Sequence, residues 1–266
     1  MTPTTHTSHL DPACGAQRSA QLLHPVVRKL SAYGPLTAQE QEALADLGAG
    51  AQRVEGRHDL LAEGGAPESA VLIVEGVACR YRHRPSGARQ ITAYLLPGDL
   101  CDPDFALLGR MNHSVGTLGP CRVARVAREA LSGLTDRHPG LARAFRLAKL
   151  AEEETTREWV MNIGCRSAIE RVSHLLCELH ERLRTVGWAT KGGYDLPLTQ
   201  QDLADTTGLS NVHVNRVLRQ LRLMRIVEVG GRRVDILNLP GLQGIAEFQA
   251  DYLRPAQAAD RHPALA

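Results

Sequence analysis

Between residues 198 and 221 apolar positions recur every three or four residues, first in a short block and then in a longer one. In the short block Thr199 offers an N-cap, and 200–205 reads as a helix with Leu203 and Ala204 turned inward. Gly208 falls where the chain must turn, because a residue without Cβ tolerates positive φ. Ser210 then caps a second helix, whose Val214, Val217, Leu218 and Leu221 share one face. Asn211, Val212, Asn215, Arg216 and Arg219 are left on the other face. Two short helices and a tight turn predict a helix–turn–helix, whose second helix suits a DNA major groove: Asn pairs with adenine and Arg with guanine.

The rest of the chain divides by the same reasoning. Residues 22–47 read as helical, with a break at Gly34-Pro35 and a capping box from Thr37 to Glu40. From 51 to 130 short apolar runs (70–74, 77–81, 90–96, 122–126) alternate with Gly, Pro and Asp turns, which predicts an antiparallel barrel or roll. Residues 138–162 form a long helix that starts at Pro139. Its Leu141, Phe145, Ala148, Glu152, Thr155, Trp159 and Asn162 follow a 4-3-4-3 rhythm. That face packs either on its own roll or on a second copy; the rhythm favours a dimer. Gly164 is expected to break this helix and act as a hinge, with helix resuming over 167–185 and a loop over 187–195. Residues 226–229 and 232–237, about a Gly230-Gly231 turn of primed type, read as a wing. The expected fold is α+β: an N-terminal antiparallel β-roll, a long dimerisation helix and a C-terminal winged helix–turn–helix. The expected boundaries are a flexible tail at 1–20, the roll at 21–137, the helix at 138–163, the DNA-binding domain at 164–241 and an extension at 242–266, loose from 255.

Charge sharpens this picture only locally. The 266 residues carry a net charge of +2, but between 211 and 233 six arginines (216, 219, 222, 225, 232, 233) face one acid, Glu228. Such a cluster beside a recognition helix is the footprint of a phosphate-binding face. None of the six cysteines forms a C-x-x-C pair, and their spacings match no zinc pattern. Neither a signal peptide nor an 18-residue apolar run is evident, so a cytoplasmic protein with reduced thiols, away from membranes, is expected. A Gly-rich phosphate loop, G-x-S-x-G and H-E-x-x-H are all missing, and Glu152-Glu153-Glu154 fans around a helix, which argues against an enzyme.

Four segments together carry a family resemblance: AEGGAPESAVLIVEGVACRY (62–81), GARQITAYLLPGDL (87–100), SAIERVSHLLCELHERL (167–183) and LTQQDLADTTGLSNVHVNRVLRQLR (198–222). In this order the chain resembles the Crp/Fnr superfamily of bacterial transcription regulators, with a cyclic-nucleotide-binding-like roll. The resemblance implies a homodimer on a pseudo-palindromic double-stranded DNA site, and a surface for RNA polymerase. It implies that Asn211, Val212 and Arg216 face bases, that Ser210 and His213 lie near phosphates, and that Gln200 and Gln201 contact the backbone. Asn215, Arg219, Arg232 and Arg233 complete the expected DNA face. Val212 stands where better-known members carry an acid; it cannot accept from cytosine, so a thymine methyl is the expected contact.

The signal is less legible. Cyclic-nucleotide members of the family carry Gly-Glu for the ribose and Arg-Ser-(Ala/Thr) for the phosphate. Here Pro103-Asp104 and His113-Ser114-Val115 stand at those positions, so weak or no cyclic AMP binding is expected. Asp104, His113, Ser114 and Thr156 form the candidate pocket for an unknown small-molecule effector. Neither a cofactor nor a metal site is expected: cysteines for an iron–sulfur cluster are lacking, and His24, His58, His83 and His113 are unmarked by spacing as haem ligands. A thiol sensor remains open through Cys101, which has no evident basic neighbour, or Cys121, whose pKa the adjacent Arg122 could lower. The second reading is a small-molecule or redox sensor whose helix–turn–helix end does not bind DNA specifically.

Overall fold

The computed structural model describes residues 24–104, 107 and 109–254. The expected tail at 1–20 and the loose end from 255 lie outside the described residues.

Helices α1 (Pro25–Ser31) and α2 (Ala38–Asp46) open the described chain, α2 closed by the Thr37–Glu40 capping box. The roll follows as β1 (Gln52–Val54), β2 (Asp59–Leu61), β3 (Ala70–Glu75), β4 (Ala78–His83), β5 (Arg89–Leu95), β6 (Leu100–Cys101), β7 (Ser114–Thr117) and β8 (Cys121–Val126). Two antiparallel four-stranded sheets face each other, in the orders β1-β8-β3-β6 and β2-β7-β4-β5. Strand β3 is buried on both sides, as its unbroken run AVLIV requires. Val71, Ile73, Leu95 and Val115 fill the space between the sheets. Leu72 and Val126 point outward instead, and Val26, Leu30 and Leu141 of the helices cover them. The shortest strands of the roll, β1, β2, β6 and β7, carry too few residues for a period-2 signal.

Helix α3 (Arg128–Arg137) leads into α4 (Pro139–Cys165). One expectation fails on α4. Gly164 does not break it: the helix continues to Cys165, and the break comes at Arg166, which is extended at φ −88° and ψ 146°. Ser167 and Glu170 then form a capping box that starts α5 (Ala168–Thr185), so a start signal fixes the break. Of the 4-3-4-3 face, Leu141, Trp159 and Asn162 are buried within the same chain, Phe145, Ala148 and Thr155 are half-buried, and Glu152 is exposed. Leu150, Val160, Met161 and Ile163 are the apolar residues that α4 exposes.

The C-terminal part contains α6 (Gln200–Thr207), α7 (Asn211–Leu223), β11 (Val227–Gly230) and β12 (Arg233–Ile236). The predicted loop 187–195 holds a short hairpin, β9 (Ala189–Thr190) and β10 (Gly193–Asp195), which extends the wing into a sheet ordered β11-β12-β10-β9. The wing turn lies one residue later than expected. Gly230 pairs with Arg233, and the central residues Gly231 and Arg232 both have positive φ, 58° and 68°, as a type I′ turn demands. The region from 242 is no appendage either. Helix α8 (Leu239–Ala246) buries Leu242 and Ala246 in the core shared with Leu175, Leu179 and Val214. Among the described residues no helix is long and apolar enough to cross a membrane.

Candidate nucleic-acid interface and sensor cavity

Helix α6 begins with reciprocal bonds: the Thr199 amide donates to Asp202 Oδ2 at 2.8 Å, and the Asp202 amide donates to Thr199 Oγ1 at 3.1 Å. It ends at Gly208, left-handed at φ 66°, whose amide donates to the Ala204 carbonyl. Ser210 Oγ accepts from the His213 amide and starts α7. Val214, Val217 and Leu221 are buried, and Leu218 is half-buried. Those contacts hold Asn211, Val212, Asn215, Arg216 and Arg219 on the exposed side. Val212 is 69% exposed, so its presence there serves no core. Asn211 Nδ2 donates to Gln201 Oε1 at 2.5 Å, and Asn215 Nδ2 to Gln200 Oε1 at 3.3 Å. The polar groups of the two helices thus satisfy one another, and these bonds must be exchanged when a partner binds. His213 Nδ1 lies 3.0 Å from Ser210 Oγ.

All six arginines are exposed. Arg233 is held by Asp195 at 2.9 Å and Asp235 at 2.6 Å, which offsets its charge. Arg216, Arg219, Arg222, Arg225 and Arg232 form no ion pair among the described residues. Five uncompensated cations beside α7 give this end a local positive field.

The roll fixes α6 in place. Asp202, wholly buried, takes Arg57 at 2.7 and 2.8 Å and Arg89 at 2.5 Å; Arg89 also reaches Asp205 at 2.6 Å. Tyr94 Oη lies 2.5 Å from Thr206 Oγ1. Burial raises the Asp202 pKa, but the bonds from Arg57, Thr199 and Arg89 outweigh it and hold the carboxyl well below the usual range.

Of the four expected effector residues, the fold brings three together. Asp104, His113 and Thr156 line a solvent-open cavity of about 570 Å³ between the roll and α4, with Arg80, Asp102 and Lys149. Ser114 does not join them: it pairs across β7 with Tyr81, and its Oγ accepts from the Glu63 amide at 3.0 Å. Asp104 is bonded to Lys149 of α4 at 2.5 Å. His113 Nε2 lies 3.1 Å from Asp102 Oδ2, and its Nδ1 2.7 Å from Asn112 Oδ1. Burial raises Asp102, but the bond from His113 and the charge of Arg80 outweigh it and bring the carboxyl down to about 2. Cys101 has a basic neighbour after all, with Arg80 Nη2 3.4 Å from its sulfur; burial nevertheless pushes the thiol up. Cys121 departs from expectation: burial raises its thiol to about 11, while Arg122 turns away to Glu75. Arg80 and Asp102 carried no sequence signal for this site, because sixteen residues separate β4 from β6.

A family model for the cyclic nucleotide-binding domain matches residues 51–138, and one for the Crp-like helix-turn-helix domain matches 170–245. The nitrogen fixation regulation protein FixK of Bradyrhizobium diazoefficiens is 29% identical over 177 residues, covering 65% of this chain and 72% of FixK. The transcriptional activatory protein AadR of Rhodopseudomonas palustris is 29% identical over 217 residues, covering 80% and 88% of the two chains. The solved structure of FixK2 from Bradyrhizobium japonicum superposes with a TM-score of 0.64 at 25% identity, covering 75% of this chain and 99% of FixK2.

Proposed function

The chain belongs to the Crp/Fnr superfamily and is a DNA-binding transcription regulator, not an enzyme; from that premise we propose that it reads a pseudo-palindromic site as a homodimer, through α7. The carrying observation is the exposed polar face of α7 beside five arginines without acidic partners. Arg216 makes a bidentate contact to guanine, and Asn211 and Asn215 read neighbouring base edges after releasing Gln201 and Gln200. Val212 meets a thymine methyl. Ser210, His213, Gln200, Gln201, Arg219 and Arg232 hold phosphates, which fixes register without reading sequence. Arg233, already paired with two carboxylates, contributes least.

The dimer forms through the outer face of α4, where Leu150, Val160, Met161 and Ile163 stand exposed. The same dimer offers a surface to RNA polymerase. Cyclic AMP is not the signal: Asp102, Asp104, Glu152 and Glu153 line the cavity, and its cations are already paired, Arg80 with Asp102 and Glu152, Lys149 with Asp104 and Lys29 with Asp99. A phosphate entering there meets acids without a free guanidinium.

Selection of bound duplexes from a random library tests this reading. The wild type is expected to enrich two half-sites about one helical turn apart. Arg216→Ala is expected to lose ~1–3 kcal/mol of discrimination at one base pair per half-site and to stay dimeric by sedimentation. An unchanged half-site preference in that variant removes Arg216 from the recognition surface.

A further inference from the structure

Cys101, Asp102 and His113 converge although ten residues separate the pair from the histidine. A sulfur, a carboxylate oxygen and an imidazole nitrogen lie within 4.8 Å of one another. Cys101 Sγ is 3.0 Å from Asp102 Oδ2, and His113 Nε2 is 3.1 Å from the same oxygen. Tetrahedral zinc with bonds of 2.0–2.3 Å sets its ligands roughly 3.3–3.8 Å apart, so an opening of a few tenths of an ångström admits an ion.

The surroundings fit a metal ligand set. A proton on His113 Nδ1, donated to Asn112 Oδ1 at 2.7 Å, leaves Nε2 to ligate beside Cys101 and Asp102. This is how a ligating histidine is oriented from behind. Cys101 is wholly buried, whereas Asp102 and His113 border the cavity, so an ion enters from the cavity side. Three protein ligands then leave one coordination position turned toward the cavity.

We propose that Cys101, Asp102 and His113 bind one divalent transition metal of borderline softness, of the zinc class. The mixed sulfur, nitrogen and oxygen donors exclude calcium and magnesium as the preferred ions. Binding exchanges the thiol proton of Cys101 for the metal and releases that proton to solvent. The metal's two positive charges are balanced by the thiolate and the carboxylate. Arg80, now 3.3 Å from Asp102 and 2.5 Å from Glu152 of α4, is repelled by the ion and loses its bonds to Asp102 and Cys101. Occupancy of the site is thereby transmitted from the roll to the helix that leads to the DNA-binding domain.

Cobalt(II) titrated into the untagged, reduced, metal-free full-length chain tests the proposal, since it reports thiolate ligation by a charge-transfer band. One equivalent is expected, displaced by zinc. Cys101→Ser is expected to lose the charge-transfer band, and His113→Ala to lose tight binding with an unchanged circular dichroism spectrum. Asn112→Ala is expected to weaken binding about 10–100-fold. Cys165→Ser, at an exposed cysteine, is the control and keeps the full spectrum. Should Cys101→Ser fail to fold, His113→Ala and Asn112→Ala decide. No stoichiometric uptake by the wild type, or binding that survives His113→Ala, overturns the proposal. The readout needs no DNA, so its failure and that of the DNA-recognition reading are separate results.

Discussion

His174 shows what a single buried side chain does to the whole chain. It is 1% exposed on α5, with Nε2 3.2 Å from Glu158 Oε1 and Nδ1 buried without a partner. Phe248 and Tyr252 lie against its ring. Burial, and after it the charge of Arg166, holds its pKa down to about 4. The unfolded chain keeps the ordinary value of 6.5, so between these two values it binds the extra proton. His174 therefore contributes stability above pH 6.5 that is lost progressively as the pH falls toward 4. Its share of the loss approaches about 1.4 kcal/mol per pH unit inside that window. Urea midpoints measured from pH 7 to pH 5 are expected to fall for the wild type and to fall less for His174→Phe; parallel curves refute the assignment. At this scale the sequence was legible where chemistry is local: Thr199 and Ser210 were readable as caps and Arg216 as exposed. It was not legible for His174 or Asp102, whose neighbours come from distant segments.

At the scale of elements, two glycines separate a required conformation from a misread one. Gly208 holds φ 66° between α6 and α7, where a Cβ costs about 1–2 kcal/mol. Gly164 lies inside α4 with open space around it, so alanine there gains helix propensity of up to about 1 kcal/mol. Gly208→Ala is expected to lower the unfolding midpoint and weaken DNA binding, while Gly164→Ala leaves DNA affinity unchanged and does not lower the midpoint. A large loss of affinity in Gly164→Ala restores the hinge to Gly164. The reading of Gly164 as a breaker followed its low helix propensity; the Ser167–Glu170 capping box is the stronger signal and moves the break to Arg166. A 4-3-4-3 rhythm marks a buried face without naming what buries it, and here Leu141 meets α1 and the roll while Trp159 meets Tyr94 and α5.

Across the whole molecule, buried charges join the roll to the DNA-binding end. Arg57 and Arg89 hold Asp202 of α6 from one side. On the other, Asp99 of the roll bonds Lys29 of α1 and Arg182 of α5, and Arg182 reaches Glu178, which also accepts from Trp159 Nε1 of α4 at 2.8 Å. Removing both Arg57 and Arg89 leaves Asp202 buried with only its Thr199 bonds, a loss of about 3–5 kcal/mol for an uncompensated buried charge. Water reaches Arg57, which is 44% exposed, and lowers its share. The Arg57→Ala, Arg89→Ala double variant is expected to unfold in two calorimetric steps, the DNA-binding part first. A single transition at the wild-type temperature means that apolar packing, not the ion pairs, couples the two parts.

The order of parts, the helix–turn–helix with its caps and turn, the exposed face of α7 and the wing are all legible along the chain, because each depends on residues within a turn or two of one another. Positions matched to a family also named three residues that the fold brings to one cavity, Asp104, His113 and Thr156. Tertiary structure alone decided which face of α4 is buried, that α8 belongs to the core, that Arg57 and Arg89 grip α6, and that Cys101, Asp102 and His113 meet. These are pairings between segments far apart in the chain. Their partners are chosen by how the sheets stack and how the helices cover them, and no local period encodes that choice.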